Sequence, residues 1–196
     1  MTLLWHGLFW LVLIWSGWQP HDRATWWLEV APALIAWGLL YGFRHRFVFT
    51  PLALWLILLH CIILMVGGKY TYALVPAGDW LSAWFGWSRN NYDKLGHLAQ
   101  GFVPAMVARE LFIRFQVVRG NGWRFALTVL SVLGISAAYE LIEWGVALLS
   151  DEAAESFLGT QGYVWDTQSD MFMALIGAVT ALLILGKWHD QQLARR

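Results

Sequence analysis

The chain has 196 residues, of which 59% are hydrophobic and only 13% charged, and its formal net charge is zero. Its mean hydropathy of +0.52 and its repeated long apolar runs are typical of integral membrane proteins. It has no basic tract of the nucleic-acid type, so we expect membrane lipid and no nucleic acid as a partner. The single cysteine, Cys61, excludes an internal disulfide and the paired-thiol metal spacings.

The first part of the chain contains three apolar runs, each near the roughly 20 residues that a bilayer requires, and we predict a transmembrane helix for each. The N-terminus lacks the basic residue and the small-x-small cleavage site of a signal peptide, so we interpret the first run as a retained span. Neighbouring helices can satisfy the carbonyl that Pro32 frees within the second run. The predicted bounds are about Leu3 to Trp18, Trp26 to Phe43 and Phe47 to Val66, the last stopping at Gly67-Gly68.

Residues 68–91 interrupt this pattern, because glycine, proline and charged residues break up a stretch rich in tryptophan. Tryptophan and tyrosine favour the headgroup level of a bilayer. The stretch therefore predicts an aromatic-rich interfacial helix over roughly Asp79 to Trp87, on the outer side of the membrane.

Three further apolar runs follow, and Gly120-Asn121-Gly122 marks the turn between the first two of them. We predict transmembrane helices from Tyr92 to about Arg114, Trp123 to Leu149 and Val164 to about Trp188. The chain is thus expected to be an all-α, polytopic membrane protein with six transmembrane helices, and residues 1–196 to form a single integral membrane domain.

The distribution of Lys and Arg predicts the orientation, because basic residues accumulate in cytoplasmic loops. Placing both termini in the cytoplasm assigns most of the basic residues to the inner side. The outer connection 150–163 then carries acidic residues and no basic one. The inner side receives Arg44, Arg46, Arg114, Arg119, Arg124, Lys187, Arg195 and Arg196, and the outer side receives Arg23, Lys69, Arg89 and Lys94.

Three charged motifs lie in or beside the last three apolar runs. With the predicted orientation, all three fall in the outer half of the membrane. The members of each pair are three or four residues apart, so each pair lies on one helix face. The motifs are Asp93-Lys94-Leu95-Gly96-His97, the pair Glu140 and Glu143, and the pair Asp166 and Asp170.

Charged residues are costly in lipid, so by default they face the bundle interior, pair with one another and mark function. Three inward faces would form one pocket with up to five carboxylates and the His97 imidazole. Lys94, Gln100 and Gln168 are expected within reach of it. Glu110 lies near the inner face beside basic residues, and we interpret it as an interfacial salt-bridge residue.

Five carboxylates in a low-dielectric pocket require protonation or a neutralising cation, which leaves three interpretations open. The first is a divalent metal, because a mixed imidazole and carboxylate shell suits Zn, Mn or Fe. The second is a binding or transfer site that holds protons or a cationic group. The third is a hydrogen-bonded network that only ties helices together. The candidate metal ligands are His97, Glu140, Glu143, Asp166 and Asp170.

In an enzymatic form of the site, Glu140 or Glu143 would activate water and His97 would transfer a proton. Asp93, Lys94 and Gln168 would support these groups by orienting them. The sequence alone does not decide whether the chain is an enzyme. A proton- or cation-coupled carrier and a non-catalytic structural or stress-response membrane protein would use the same residues.

The Asp93-to-His97 run, the Glu-x-x-Glu pair and the Asp166-to-Asp170 segment resemble the YjdF-like family of bacterial inner-membrane proteins. The resemblance covers most of the chain. That family has no established activity. The resemblance therefore implies a multi-pass protein of the bacterial inner membrane, and it implies little about chemistry.

The same residues are more distantly similar to the VanZ-like proteins, whose pattern is Asp-Lys-x-x-His, then Glu-x-x-Gln, then an Asp-rich final helix. Asp93, Lys94 and His97 match this pattern, and Glu140 also matches. Glu143 replaces the glutamine, which is a departure. This similarity implies a lipid or cell-envelope-linked substrate, without naming one and without fixing the oligomeric state.

Overall fold

The computed structural model describes residues 1–149 and 161–195, and within these ranges the chain is helical and has no strand. The all-α fold class is therefore confirmed. Most of the predicted acidic connection 150–163, and Arg196, lie outside the described residues. The helices are α1 Leu3–Gly17, α2 Arg23–Gly42, α3 Pro51–Tyr70, α4 Pro76–Phe85, α5 Tyr92–Arg114, α6 Asn121–Ala147 and α7 Asp166–Leu193.

Local signals explain where the early helices begin. The Thr2 hydroxyl accepts a hydrogen bond from the Trp5 backbone N–H at the start of α1. The Asp22 carboxylate accepts one from the Thr25 N–H at the start of α2. Thr50 caps α3 in the same way, with Pro51 at its first position. The third helix therefore begins later than the predicted Phe47.

The prediction that the third helix stops at Gly67-Gly68 was wrong, since α3 continues to Tyr70. Glycine costs only about 1 kcal/mol in a helix, and packing at these two positions requires it. A Cβ at Gly67 would meet the Tyr72 ring, and one at Gly68 would lie 3.1 Å from the Glu29 side chain. The two glycines therefore serve close packing.

Among the described residues, three helices are long and apolar enough to cross a membrane: α3, α6 and α7. Helix α1 is apolar as well but has only 15 residues. These lengths and compositions support a membrane protein. The count of six spans and the interfacial position of α4 stay predictions.

The helices form two groups of three that meet at the contact between α3 and α5. In the first group α3 packs against α1 and α2, and in the second α5, α6 and α7 pack against one another. One apolar core lies mainly in the first group, where Trp5, Phe9 and Met65 are almost fully buried. The second core includes Met106 and Val132. Helices α3 and α5 are thus the centre of the bundle.

The α5 and α7 backbones touch directly at two glycines. A Cβ at Gly101 would collide with the Ala174 carbonyl oxygen. A Cβ at Gly177 would collide with the Leu98 carbonyl oxygen and lie 2.8 Å from the Phe102 nitrogen. Small residues permit this close approach. It places the charged first turns of α5 beside those of α7.

Candidate functional site

Lys94 joins the charged motifs of α5 and α7. Its Nζ lies 2.7 Å from Asp166 Oδ1 and 2.6 Å from Asp170 Oδ1, and 3.5 Å from Asp93 Oδ2. Both α7 aspartates are buried. An ammonium group carries three hydrogens, so it can donate to several carboxylates at once. The predicted convergence of these two motifs is therefore present in the structure.

His97 connects the same cluster to α6. Its Nε2 lies 3.3 Å from Asp93 Oδ1 and 3.8 Å from Asp170 Oδ1. On the other side of the ring, Nδ1 lies 3.1 Å from Gln100 Oε1 and 3.9 Å from Glu140 Oε1. Acceptor oxygens thus lie beside both ring nitrogens. This arrangement suits an imidazole that receives or passes on a proton.

Within the described part of the chain, one group of side chains has donor atoms close enough to hold a metal ion. Asp93, His97 and Asp170 each offer one atom, and these atoms lie within 4.8 Å of one another. The predicted ligand set shares His97 and Asp170 with this group. Nothing in the geometry tests Glu140, Glu143 or Asp166 as ligands, so that set stays a prediction. A metal here would compete with Lys94 for Asp170.

Sequence reasoning missed the part that Arg89 takes in this cluster. Arg89 NH1 lies 2.8 Å from Asp166 Oδ1, and NH2 lies 3.7 Å from Asp93 Oδ2. From the sequence, Arg89 was assigned only to the outer-side basic residues and to the charged residues that interrupt the aromatic stretch. The signal that could have found it is its spacing of four residues from Asp93, although it precedes the helix.

Sequence reasoning also missed Glu29 and Tyr139. Glu29 is only 4% exposed, and its Oε2 accepts a hydrogen bond of 3.3 Å from the Tyr139 hydroxyl. This bond connects α2 to α6 across the bundle. Glu29 lies six residues after the first residue of α2, and an acidic residue inside an apolar run meets the same criterion as Glu140. That criterion would have identified it.

A cavity of about 610 Å³ lies beside the cluster, between α2, α3, α5 and α6. One end is polar, because carboxylate, imidazole, amide and phenol groups line it. The remainder is lined mostly by aliphatic and aromatic side chains. The polar lining residues at this end are Glu29, Tyr72, Asp93, His97, Gln100, Tyr139 and Glu143. Apolar lining residues include Ala36, Leu40, Phe43, Ile57, Val107, Leu111 and Phe115.

Tyr72 reaches the cavity from the turn after α3. Thr71 and Tyr72 have positive φ angles of 57° and 50°, an uncommon conformation for residues other than glycine. The Tyr72 ring packs where side chains at Gly67 or Gly96 would collide with it. Burial raises the pKa of the Tyr72 hydroxyl well above its usual value, so this group stays a neutral hydrogen-bond donor.

The two α6 glutamates occupy different surroundings. Both are 8% exposed. Glu140 Oε1 faces His97 but has no hydrogen-bond partner among the described residues. Glu143 lines the cavity. Gln168 is exposed and lies two positions from each buried aspartate, hence on the opposite side of α7, and it makes no contact with the cluster among the described residues.

Glu110 belongs to a second polar cluster at the other end of the bundle. As predicted, it forms a salt bridge, with Arg114 at 3.1 Å. It is however completely buried, and it also accepts hydrogen bonds from the Thr50 N–H and hydroxyl and lies 3.0 Å from His189 Nε2. Its oxygens are thus fully satisfied. This cluster ties α3, α5 and α7 together.

Comparison with known proteins gives a consistent classification. Residues 1–191 match the family described as "Predicted membrane protein (DUF2238)". The chain is also 53% identical over 185 residues to the inner membrane protein YjdF of Escherichia coli (strain K12), covering 94% of this chain and 88% of that protein. The resemblance to the YjdF-like family is therefore confirmed. No solved structure matches the chain.

Proposed function

This chain belongs to the DUF2238 family of predicted membrane proteins, and we propose that it binds a lipid or cell-envelope-linked amphiphile inside the bilayer. The observation that carries this proposal is the cavity of about 610 Å³, which has a polar end and an apolar remainder. Its volume lies in the range of roughly 300–1,000 Å³ found for small-molecule sites. A molecule with a polar head and a hydrocarbon tail fits this division.

The positions of the lining residues along the helices support the same orientation of the ligand. Glu29 and Asp93 lie near the first residues of α2 and α5, and Glu143 lies near the last residue of α6. At 1.5 Å per residue, each is within about 10 Å of its helix end, and these three helix ends lie at the same end of the bundle. From Glu29 the cavity follows α2 as far as Phe43, a distance of about 21 Å. A tail would therefore run along the membrane normal, with its head near one surface.

We place this polar end at the outer side of a bacterial inner membrane, in a bundle of six spans with both termini in the cytoplasm. The distribution of basic residues supports this orientation. The relative in Escherichia coli is described as an inner membrane protein, which supports the location. Helix α4 exposes Trp80, Trp84 and Phe85, side chains that suit the headgroup region.

In the catalytic form of the proposal, the site would act on the bound head group. Glu140 or Glu143 would take a proton from water, and His97, whose Nδ1 lies 3.9 Å from Glu140 Oε1, would pass it on. Asp93, His97 and Asp170 would hold a divalent Zn, Mn or Fe ion, which would supply a Lewis acid beside the head group. Asp166 would keep Lys94 in place.

A carrier would need polar groups that continue from the cluster to the other side of the membrane. The cavity instead becomes apolar beyond its polar end, where Leu40, Phe43 and Leu111 line it. This gradient favours a ligand that stays in the bilayer over a polar solute that crosses it.

The test is to measure lipids that stay with the purified protein. Ala36→Phe would fill the apolar part of the cavity, whereas Ala24→Phe adds the same volume at an exposed position of α2. We expect native mass spectrometry in mild detergent to show a retained amphiphile in the wild type and Ala24→Phe, and several-fold less in Ala36→Phe. Equal retention in all three proteins would refute cavity binding.

A further inference from the structure

We infer that the head group held at the polar end of the cavity is cationic, a primary or quaternary amine on a long-chain amphiphile. This inference rests on the proposed function and specifies its ligand. Three independent features of the polar end carry it: the balance of charge, a buried carboxylate without a partner, and two aromatic rings.

Acidic side chains outnumber basic ones at this end of the cavity. Six carboxyl groups meet in the cluster and at the cavity wall, and within the described ranges the basic groups among them are Arg89, Lys94 and the His97 imidazole. Arg89 and Lys94 both contact Asp93 and Asp166, and Lys94 also contacts Asp170. In the part of the chain that the structure describes, no lysine or arginine lines the cavity itself. An anionic head group would therefore meet net repulsion, and a cationic one would meet attraction.

Glu143 is the carboxylate best placed to receive such a cation. It is 92% buried, because only 8% of its surface is exposed, and it lines the cavity. In residues 1–149 and 161–195 it forms no hydrogen bond or ion pair. A buried carboxylate is costly without a partner, and a bound ammonium group would supply one. Glu29 lines the same end, and its Oε2 accepts a hydrogen bond from the Tyr139 hydroxyl.

The aromatic residues at this end suit the same ligand. The rings of Tyr72 and Tyr139 both line the cavity beside the carboxylates. Ammonium groups are attracted to the faces of aromatic rings, and sites for quaternary amines commonly combine such rings. Acidic groups, tyrosine rings and an adjoining apolar channel together match an alkyl chain that ends in an amine.

The experiment compares three probes with the same tail and different heads: hexadecylamine, hexadecanol and hexadecanoic acid. Binding of each is measured with the full chain in an uncharged maltoside detergent, which carries no amine, in the presence and absence of a metal chelator. We expect the amine to bind at least about tenfold more tightly than the alcohol, and the acid more weakly than either, with no effect of the chelator.

Substitutions of Glu143 separate the effect of its charge from the effect of its shape. Glu143→Gln keeps the shape of the side chain and removes its charge, and we expect it to weaken amine binding by about tenfold or more while leaving alcohol binding unchanged. Glu143→Asp should recover part of the loss. Asp190→Asn, an exposed carboxylate at the other end of α7, is the matched control and should bind the amine like the wild type.

The outcomes distinguish this inference from the proposed function. If all three probes bind equally and Ala36→Phe abolishes their binding, the cavity holds amphiphiles but the cationic head group is refuted. Acid binding that requires a metal would likewise refute it. If no probe binds and Ala36→Phe retains lipid like the wild type, both the inference and the proposed function fail.

Discussion

Lys94 and Asp170 are 76 positions apart in the sequence, yet Lys94 Nζ lies 2.6 Å from Asp170 Oδ1. The contact between the α5 and α7 backbones at Gly101 and Gly177 makes this distance possible. The ammonium group is therefore the point at which the charged turns of two helices are held together, and its removal should be costly.

Lys94→Met leaves Asp166 and Asp170 buried without their ammonium partner. We expect the free energy of unfolding to fall by about 3–5 kcal/mol, the usual cost of breaking a buried ion pair from one side. Thermal unfolding in detergent measures this loss. Lys187→Met, at an exposed position of α7, should change stability by less than about 0.5 kcal/mol. A loss of similar size in both variants would contradict a specific role of Lys94.

Gly101→Ala places a methyl group against the Ala174 carbonyl oxygen, and the two backbones must separate to make room. We expect the free energy of unfolding to fall by at least about 3 kcal/mol, which is at the upper end of the effects of overpacking. Gly134→Ala in α6 meets no atom within 4 Å and should be neutral or stabilising by up to about 1 kcal/mol. Chemical unfolding of the two variants makes the comparison, and equal stability would show that α5 and α7 are farther apart than described.

If the site binds a metal, two substitutions should have opposite effects on metal affinity. His97→Ala removes the imidazole from the Asp93–His97–Asp170 group and should weaken Zn²⁺ or Mn²⁺ binding by at least about tenfold. Lys94→Met removes the ammonium that competes for Asp170 and should strengthen binding. Isothermal titration and metal analysis of the purified proteins test this. The absence of metal from the wild type and from both variants would remove the metal-dependent form of the catalytic proposal.

Glu110→Gln should destabilise the fold without affecting amphiphile binding, because Glu110 belongs to the cluster at the other end of the bundle. The substitution removes the charge that Arg114 and His189 face and replaces one acceptor oxygen with a donor. We expect the free energy of unfolding to fall by about 2–4 kcal/mol. An unchanged melting temperature, or a selective loss of the bound amphiphile, would contradict this assignment.

Asp22, the residue that caps the start of α2, should make the stability of the protein depend slightly on pH. The hydrogen bond from the Thr25 backbone N–H holds the pKa of the Asp22 carboxyl below its usual value. This stabilisation is present above the unfolded pKa of about 3.9 and is lost as the pH falls through the lower folded pKa. Asp22→Ala should cost about 1 kcal/mol at neutral pH, because the cap is lost.

Asp22→Asn is the control for that experiment, because an asparagine oxygen also caps a helix but does not titrate. Its stability at neutral pH should stay near that of the wild type. Below about pH 4 the wild type should lose stability relative to Asp22→Asn, because only the aspartate titrates. If the stability of the two proteins instead falls in parallel with pH, the Thr25 hydrogen bond does not stabilise the charged form.

Most of the fold was predictable because helix ends carry local signals. The fifth helix begins and ends at the predicted residues, Tyr92 and Arg114. The bounds of helices α1, α2, α6 and α7 lie within a few residues of the predicted spans, apart from the C-terminal end of α7. The third helix differed because Gly67 and Gly68 were read as a helix end. Their actual role, contact with Tyr72 and α2, depends on residues outside the local sequence.

The candidate site, like the fold, could be predicted from the sequence only in part. Periodicity and the cost of charge in lipid identified Asp93, Lys94, His97, Asp166 and Asp170, which the structure brings together. The same reasoning, applied to the second apolar run, would have found Glu29. It would not have found Tyr72, since the positive φ angles that turn this ring into the cavity have no signal in the sequence.

The sequence by itself determined the helical class, the membrane-type composition and the set of charged residues, because these follow from hydrophobicity and spacing along one chain. The tertiary structure alone decided which carboxylates pair with Lys94 and which, like Glu143, line the cavity without a partner among residues 1–149 and 161–195. The physical reason is that pairing depends on how closely two helices approach, and a single pair of glycines sets that distance here.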